Sequence, residues 1–452
     1  MVRVIPGVEI EVVKEIIPPA AYPSGVVALV GTSEKGSVLT ATHVSSWKEF
    51  TEIFGSSTGY TVTREAKQCF QNGVFEVVVT RIAGRGGKEA ALTLKDAKKV
   101  STVELKARSI GEDGNKIKAK IEKGESENTV TLLITDGEVI EVLDNLVMDQ
   151  KSERYLIDYV NQNSKLVMAE DLKSSTVFPD KNPALVEDVL KGGKEPGMPA
   201  KEDYEAALEK LESEAEVDMV CACDVSDPSI HSYVEAHCKN MSNEAMGRIG
   251  IGAVGKGEAV GEIIKRTEKL SSDRFVLVAP YGVAGAVAGL ISQLSYFESP
   301  TYKALSGVSE LERAYSPSEL RQLLNTGILP LQAQRGRGII VVKGITTSKE
   351  QINVMRTADQ AVRMVKAIGE QFIGTLNSPT GRSALREKLT ELMIRMEKEG
   401  AIVPSADLTE PAFVVDVYCS ELDFAQGIVR VDLAVRPVRA IDYIYATVVV
   451  QA

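Results

Sequence analysis

The stretch that comes closest to a cofactor-binding motif is rich in glycine and reads Gly250-Ile-Gly-Ala-Val-Gly255. It matches the G-x-G-x-x-G pattern of dinucleotide-binding turns, and with Lys256 it approaches the P-loop that cradles nucleotide phosphates. Gly257 stands where a P-loop has the Ser or Thr that binds Mg²⁺. A dinucleotide site would need a carboxylate at the end of the next strand, but Asp273 precedes that strand. We therefore interpret the stretch as a glycine-rich turn, with a nucleotide-binding enzyme as the alternative.

Cysteine and histidine offer little for metal binding or disulfides. The five cysteines are Cys69, Cys221, Cys223, Cys238 and Cys419, an odd number without a repeating spacing. Cys221 and Cys223 share one side of an apolar strand, where free cysteine behaves as a small hydrophobic residue. His237 and Cys238 could extend them to a zinc site, but no C-x-x-C pair is present. We expect no metal and no cofactor.

A catalytic triad is equally poorly supported. The three histidines are His43, His231 and His237. The carboxylates nearest to His231 in sequence are Asp224 and Asp227, and no G-x-S-x-G elbow accompanies them. We expect solvated loop histidines and no catalytic residue, so the sequence predicts a protein that is not an enzyme.

Composition predicts a multidomain globular protein. The chain has 452 residues, 44% of them hydrophobic, and a formal net charge of −11, which speaks against nucleic acid as the main partner. No apolar run is long enough to cross a membrane, and the first residues lack the apolar region of a signal peptide, so we expect cytoplasmic synthesis and no membrane insertion. From Arg335 onward there are 15 Lys and Arg against 14 Asp and Glu, compared with 37 against 49 before it. Chance variation or a contact with an acidic surface would explain this asymmetry.

Periodicity indicates an α/β core that is interrupted by a β-rich insertion. A buried strand (residues 26–30), a helix with a Ser46/Glu49 capping box, a helix (63–72) and a strand (75–82) come first. After a glycine-rich linker at 84–87, short alternating strands are predicted at 102–107, 116–121, 130–134 and 138–142, with a helix near 153–161. The core resumes with a helix from Asp203, strands at 217–223 and 275–279, and a helix of small residues at 284–293.

The last part of the chain predicts an α+β domain. A strand at 339–342 is followed by a Thr347/Glu350 capping box, a helix with apolar residues from Ile352 to Ile368, and a second helix that ends at Gly400. Two strands follow at 413–418 and 428–435, and we expect them to form a sheet.

Both ends of the chain resemble strands. Apolar residues alternate along the first thirteen residues, and Pro18-Pro19 separates this strand from the core. The final segment, 441–450, is apolar on both faces. A strand does not remain unpaired in water, so each end either closes the sheet of its own domain or adds to a sheet of a neighbouring copy. The residues alone leave both alternatives open.

Several motifs, in their order, resemble the contractile tail-sheath family of myophages, R-type bacteriocins and other injection systems. They include Pro6-Gly7-Val8 before an acidic strand, the run 26–31, Leu105 to Ile117 with Gly111 and Gly114, and Leu190-Lys-Gly-Gly193. The C-terminal block is the most specific: Val342-Lys-Gly-Ile-Thr-Thr347, Ile352-Asn-Val354, Phe372-Ile-Gly374, Asn377 and Arg382. Lys343 departs from the Arg that many members have.

The resemblance implies a structural subunit that polymerises as hexameric rings around an inner tube and contracts to drive the tube through a target cell envelope. The implied partners are other copies, the inner tube protein, and baseplate and tail terminator proteins. The particle would be assembled in the bacterial cytoplasm and released as a virion or a bacteriocin-like particle. The inserted domain would face outward and the C-terminal domain would face the tube.

The resemblance also assigns roles to residues. The inter-subunit arms would carry Val2, Val4, Val8, Ile10, Val12, Ile441, Tyr443, Ile444, Tyr445, Val448 and Val450. The receiving sheet would present Phe413, Val415, Val417, Val429, Val431 and Leu433. Contacts with an acidic tube would come from Arg356, Arg363, Lys366, Arg386, Lys388 and Arg395. Hinges would lie at Pro18, Pro19 and Pro437.

The predicted fold class is α/β and α+β multidomain. The predicted domains are an N-terminal arm (1–20), a discontinuous α/β core (21–84 and 194–334), an inserted β-rich domain (85–193), an α+β C-terminal domain (335–438) and a C-terminal arm (439–452). The alternatives are a nucleotide-binding enzyme that uses residues 250–257, and a binding module that stays monomeric.

Overall fold

The computed structural model describes residues 24–443. They fall into two compact units, described separately here: a first unit of Ser24–Asp359 with residues 439–443, and a second unit of Gln360–Val438. Some predicted arm and hinge residues lie outside the described range: Val2, Val4, Val8, Ile10, Val12, Pro18, Pro19, Ile444, Tyr445, Val448 and Val450.

The first unit opens with strands and helices at nearly the predicted positions: β1 (Val26–Gly31), β2 (Ala41–Val44), α1 (Trp47–Phe54), α2 (Thr61–Gln71) and β3 (Val77–Arg81). The helix α1 begins as predicted, because the side chain of Ser46 accepts a hydrogen bond from the amide of Glu49. The strand β2 was missed because three of its four residues are not buried and give no apolar run.

Two smaller antiparallel sheets follow. Their elements are β4 (Glu89–Lys95), β5 (Ser101–Ile110), β6 (Lys118–Lys123), β7 (Val130–Thr135), β8 (Ile140–Leu146), α3 (Leu156–Asn163), β9 (Val167–Asp171) and β10 (Val186–Val189). The strand orders are β10-β6-β7-β8 and β4-β5-β9, and the two sheets share a core that includes Leu105, Leu132 and Leu146. The strands β9 and β10 were not predicted, since both are short and carry acidic residues.

The remaining elements of the first unit return to the α/β pattern: α4 (Lys201–Lys210), β11 (Val217–Ala222), α5 (Pro228–Asn243), β12 (Ile249–Ala253), α6 (Val260–Thr267), β13 (Phe275–Ala279), α7 (Ala284–Gln293), α8 (Pro317–Asn325), β14 (Ile328–Gln334) and β15 (Gly338–Val341). The strand β15 was predicted to open the C-terminal domain. It pairs with β14 instead, so the core sheet continues beyond the predicted boundary at residue 334.

One eight-stranded sheet organises these elements in the order β15-β14-β13-β12-β11-β1-β3-β2. The six inner strands run parallel, and the edge strands β2 and β15 are antiparallel to their neighbours. Apolar clusters cover both faces: one contains Phe50 and Val287, the other Leu208 and Val234. Burial on both faces explains why inner strands such as β1 and β13 are continuous apolar runs. The prediction of a mixed α/β protein is confirmed.

The small residues of α7 allow it to lie close against α2. A Cβ atom at Gly285 would lie 2.5 Å from the carbonyl oxygen of Glu65, and one at Gly289 would lie 2.6 Å from that of Cys69. Glycine is therefore required at both positions for the backbones of the two helices to come this close.

The chain passes into the second unit along α9 (Ile352–Phe372), which is followed by α10 (Pro379–Lys398), β16 (Phe413–Tyr418), α11 (Glu421–Ala425) and β17 (Arg430–Val435). The predicted Thr347/Glu350 capping box is wrong, because the hydroxyl of Thr347 bonds the backbone of Ser272 and the helix begins only at Ile352. Within residues 24–443, no helix combines the length and apolarity needed to cross a membrane.

Candidate assembly site

The glycine-rich stretch is a buried strand and not a turn. Gly250 and Gly252 lie inside β12, and all five residues of that strand are buried. A Cβ atom at Gly252 would lie 2.6 Å from the ring of Phe275 and 2.7 Å from Nε2 of His231. Close packing therefore requires the glycines, and both sequence-based interpretations of Gly250 and Gly252, as a flexible turn and as a phosphate loop, are wrong.

The end of this stretch already has acceptors for its amides. The amide of Gly255 donates to the Glu258 carboxylate at 2.7 Å, and the amide of Gly257 donates to Glu312 at 3.0 Å. A phosphate cradle leaves such amides available for the ligand and avoids negative charge beside it. Two carboxylates at these positions therefore argue against nucleotide binding.

The other usual ligand position of an open parallel sheet is filled by the protein's own side chains. Ligands of such sheets bind at the carboxyl ends of the strands where the connections diverge, which here is between β1 and β11. Arg64 and Asp224 form an ion pair of 2.5 Å at this point, and Arg64 also donates to the hydroxyl of Tyr281 at 3.2 Å. Beside them, Glu65 accepts a hydrogen bond from the Gly285 amide, and burial raises the pKa of its carboxyl.

The cysteines behave as predicted and the histidines do not. Cys221 and Cys223 point into one apolar cluster. His231 and His237 are buried on α5, which contradicts the expectation of solvated loop histidines, and burial lowers the pKa of each to about 4. Among residues 24–443, no group of three or more His, Cys, Asp or Glu side chains is arranged to hold a metal ion.

The predicted receiving sheet is a two-stranded hairpin in the second unit. The strands β16 and β17 pair antiparallel from Phe413 opposite Val435 to Tyr418 opposite Arg430. The six predicted residues, Phe413, Val415, Val417, Val429, Val431 and Leu433, are all less exposed than the residues that alternate with them. Within the described residues neither strand has a second strand partner, so each keeps an edge at which another strand could add.

A short extended contact stabilises the base of this hairpin. The amide of Val403 donates to the carbonyl of Arg436 at 3.0 Å, and the amide of Val438 donates to that of Ala401 at 2.9 Å. Pro437 lies between these bonds, in a bridge with Ile402. These bonds define the backbone on both sides of Pro437 in this conformation, and its role as a hinge stays a prediction.

The six basic residues predicted to contact a tube divide into two groups. Arg356 and Arg363 are only 5% and 3% exposed, and Arg356 donates to the carbonyls of Leu294 and Ser295, so the prediction of a surface role for these two is wrong. The other four are exposed or half-buried: Lys366, Arg386, Lys388 and Arg395. Arg386 pairs with Asp416 at 2.6 Å, and Lys388 pairs with Glu391 at 3.1 Å.

The start of the C-terminal segment is attached to the first unit. The predicted arm residues Ile441 and Tyr443 are 79% and 65% exposed. The neighbouring residues are held in place: the side chain of Gln351 forms hydrogen bonds with the backbone of Ala440 and with the carboxylate of Asp442. Sequence reasoning missed this attachment because Gln351 gives no periodic signal before α9.

Comparison with known families gives two adjoining matches. Residues 197–347 match the model described as phage tail sheath protein central domain, and residues 346–451 match phage tail sheath C-terminal domain. Together they extend over more than half of the chain.

Two curated tail sheath proteins are also similar. The chain is 26% identical over 325 residues to that of Staphylococcus phage Twort, covering 65% of this chain and 53% of the relative. It is 24% identical over 281 residues to the tail sheath protein of Bacillus phage SP01, covering 56% of this chain and 46% of the relative. The aligned part thus spans about half the length of the curated relatives it matches.

Solved structures share the fold across almost the whole chain. The sheath tail protein Lin1278 from Listeria innocua superposes with a TM-score of 0.70 at 16% identity and covers 93% of both chains. The helical sheath of the anti-feeding prophage in its contracted state gives a TM-score of 0.57 at 14% identity and covers 99% of both.

Proposed function

This chain belongs to the phage tail sheath family, and we propose that it is a structural subunit of a contractile sheath. In this proposal the copies polymerise as hexameric rings around an inner tube, and contraction drives the tube through a target cell envelope. Further partners are baseplate and tail terminator proteins, and the particle is assembled in the bacterial cytoplasm before release. The proposal assigns no catalytic step to the chain.

The domain roles follow the predicted arrangement, with the core sheet extended to β15. The first unit carries the discontinuous α/β core, and the two smaller sheets (β4 to β10) form the inserted domain that faces outward. The second unit faces the tube, where Lys366, Arg386, Lys388 and Arg395 would contact an acidic surface.

The single observation that supports the linking role is the two-stranded hairpin β16–β17. The hairpin packs against α10, and each of its strands keeps an outer edge whose backbone groups could bond an added strand. The N-terminal segment (Val2 to Val12) and the C-terminal segment (Ile441 to Val450) of neighbouring copies are strand-like in sequence and would supply those strands. Such links persist while the bodies of the subunits move relative to one another.

Contraction then needs no nucleotide. Surface that becomes buried between copies stabilises the contracted state by roughly 25 cal/mol per Å², summed over many subunits. The carboxylates that bond the amides of Gly255 and Gly257 agree with a mechanism that uses no phosphate ligand.

Negative-stain microscopy of the purified chain tests the proposal. The intact chain is expected to form long striated tubes, and a chain without residues 1–15 or 444–452 is expected to remain in small species with an unchanged melting temperature. Ordered long sleeves from either truncated chain would exclude the linking role. An intact chain that stays monomeric at high concentration would favour a binding module, and a thermal shift with ATP or NAD would favour the enzyme alternative.

A further inference from the structure

The five residues that follow the second unit are held against the first unit by a set of polar contacts. Residues 439–443 lie along the connection between β15 and α9, which contributes the side chains of Lys343, Glu350 and Gln351. We call these three side chains the root clamp, since they bind the root of the C-terminal segment. Residues 439–443 are also the first five residues of the predicted C-terminal arm (439–452).

Gln351 contacts the backbone of the segment at two points. Its Oε1 accepts a hydrogen bond from the amide of Ala440 at 2.9 Å, and its Nε2 donates to the carbonyl of the same residue at 3.1 Å. This pairing reproduces with a side chain the two bonds that a neighbouring strand would make. Gln351 is 7% exposed, so the bonds are shielded from water.

Ion pairs flank this contact on both sides. Arg439 binds the Glu350 carboxylate through two nitrogens, at 2.9 and 3.3 Å. Lys343 binds the Asp442 carboxylate at 3.2 Å, which also accepts a bond from Gln351 at 2.7 Å. The ammonium of Lys343 then reaches the hydroxyl of Tyr443 at 3.3 Å and lies 4.9 Å from the centre of its ring. Four of the five root residues are thus held by charge or hydrogen bonds.

The loop that bears the clamp is itself fixed to the large sheet. The amide of Thr347 donates to the carbonyl of Phe275 in β13 at 2.8 Å, and its hydroxyl donates to the carbonyl of Ser272 at 3.0 Å. The amide of Gly344 donates to the hydroxyl of Thr301 at 3.0 Å. The clamp is therefore attached to the large sheet, and the root takes its position from the first unit.

We propose that the root clamp pre-organises the C-terminal segment for strand exchange, with Lys343, Glu350 and Gln351 as its positioning residues. The inference rests on the proposed function, because it assumes that residues 444–452 pair with a second copy. A segment with a fixed root loses less conformational freedom when it binds, so each exchange is tighter at a given concentration.

Point variants test the clamp at the level of assembly. Lys343→Met and Gln351→Leu are expected to raise the protein concentration needed for sleeve formation about ten-fold, the effect of losing one good polar contact in a pre-organised segment. Lys343→Arg is expected to assemble as the intact chain does. Lys106→Met is the matched control, because Lys106 pairs with Glu170 at 2.6 Å on the inserted sheets, far along the chain from the root.

Hydrogen exchange on unassembled protein measures directly whether the root of the segment is held, which an assembly experiment does not. The amide of Ala440 should exchange faster in Gln351→Leu and Lys343→Met, with an unchanged melting temperature. If the Ala440 amide of these variants exchanges faster but the variants still assemble at the concentration that the intact chain needs, the clamp holds the root without aiding assembly. That result overturns the proposal. Unchanged exchange overturns it as well.

The experiment separates this inference from the proposed function. If the intact chain forms no sleeves, or if the chain without residues 444–452 still forms them, the proposed function fails and the clamp proposal fails with it. If the intact chain assembles, the truncated chain does not, and the clamp variants assemble normally, only the clamp proposal fails.

Discussion

The imidazole of His43 lies between two carboxylates that come from different parts of the chain. Its Nδ1 is 2.6 Å from Glu76 and its Nε2 is 2.9 Å from Glu214. The hydrogen bond with Glu76 raises the pKa of His43, and Glu214 acts in the same direction, although partial burial opposes both. His43 on β2 therefore links Glu76, in the segment before β3, to Glu214, in the segment before β11.

We expect His43→Gln to reduce stability in a pH-dependent manner. Because the folded-state pKa is raised above the unfolded value near 6.5, the stabilisation is fully present below that value and is lost as the pH rises through the folded-state pKa. The loss should be about 0.5 kcal/mol at pH 6, since the side chain is half exposed, and should fade toward pH 9. Urea unfolding of both proteins across this range measures it.

The control for this prediction is Lys48→Gln. Lys48 pairs with Glu52 at 3.9 Å on the exposed face of α1, and this pair contains no histidine. Its small effect should be independent of pH. A pH-independent difference for His43→Gln as well would contradict the role assigned to the carboxylates.

Polar residues are where sequence reasoning was least successful at this scale. Apolar alternation correctly placed Cys221 and Cys223 in the core, because the strand period fixes which side each residue faces. Nothing in the sequence indicated that His231 would be buried or that Arg356 would bond the carbonyl of Leu294. Such contacts join residues far apart in the chain, and only the folded structure brings them together.

The close contact of α7 with α2 is a property of the two elements together. The amide of Gly285 donates to the carboxylate of Glu65 at 2.5 Å, and a side chain at this glycine would meet the α2 backbone. Packed interiors relax only in part when atoms are added, so extra volume here would separate the helices or strain them.

Gly285→Ala is therefore expected to destabilise the protein by about 1–3 kcal/mol, measured as a lower urea midpoint. Gly261→Ala is the matched control, because a Cβ atom at Gly261 in α6 would have no atom within 4 Å and alanine is the better helix former. That variant should be neutral or slightly more stable. Equal losses for both would contradict the packing explanation.

At the scale of elements, the sequence predicted strongly periodic segments well and boundaries less well. The strand at 275–279 and the helix at 284–293 were predicted with their observed bounds. The helix α5 and the strand β12 were missed, because polar residues interrupt the apolar pattern of α5 and the glycines of β12 suggested a turn. The hairpin β16–β17 was predicted, but its ability to receive a strand stays a prediction.

The whole molecule carries a formal net charge of −11, which every copy brings to an assembly. Like charges on neighbouring copies repel, and added salt screens this repulsion over about 10 Å at 0.1 M. If the copies assemble mainly through strand pairing and apolar burial, salt should favour assembly.

We expect the protein concentration needed for sleeve formation to fall as NaCl is raised from about 20 to about 300 mM, a range over which the screening length shrinks several-fold. Sedimentation of assembled protein at each salt concentration measures this. The chain without residues 444–452 is the control and should stay in the supernatant throughout. A rise in the required concentration with salt would mean that ion pairs between copies dominate.

The position of β1 in the large sheet has a consequence for synthesis on the ribosome. One of its neighbours, β11, pairs Val217 with Val26, and the residues of the two smaller sheets are translated in between. Until β11 is translated, the apolar strand β1 can pair with β3 on one edge while its other edge has no partner strand. The two smaller sheets form between residues that are nearer in sequence, so they can fold before β11 is available. Nascent chains halted before β11 should consequently recruit chaperones, and those halted after it should be released from them.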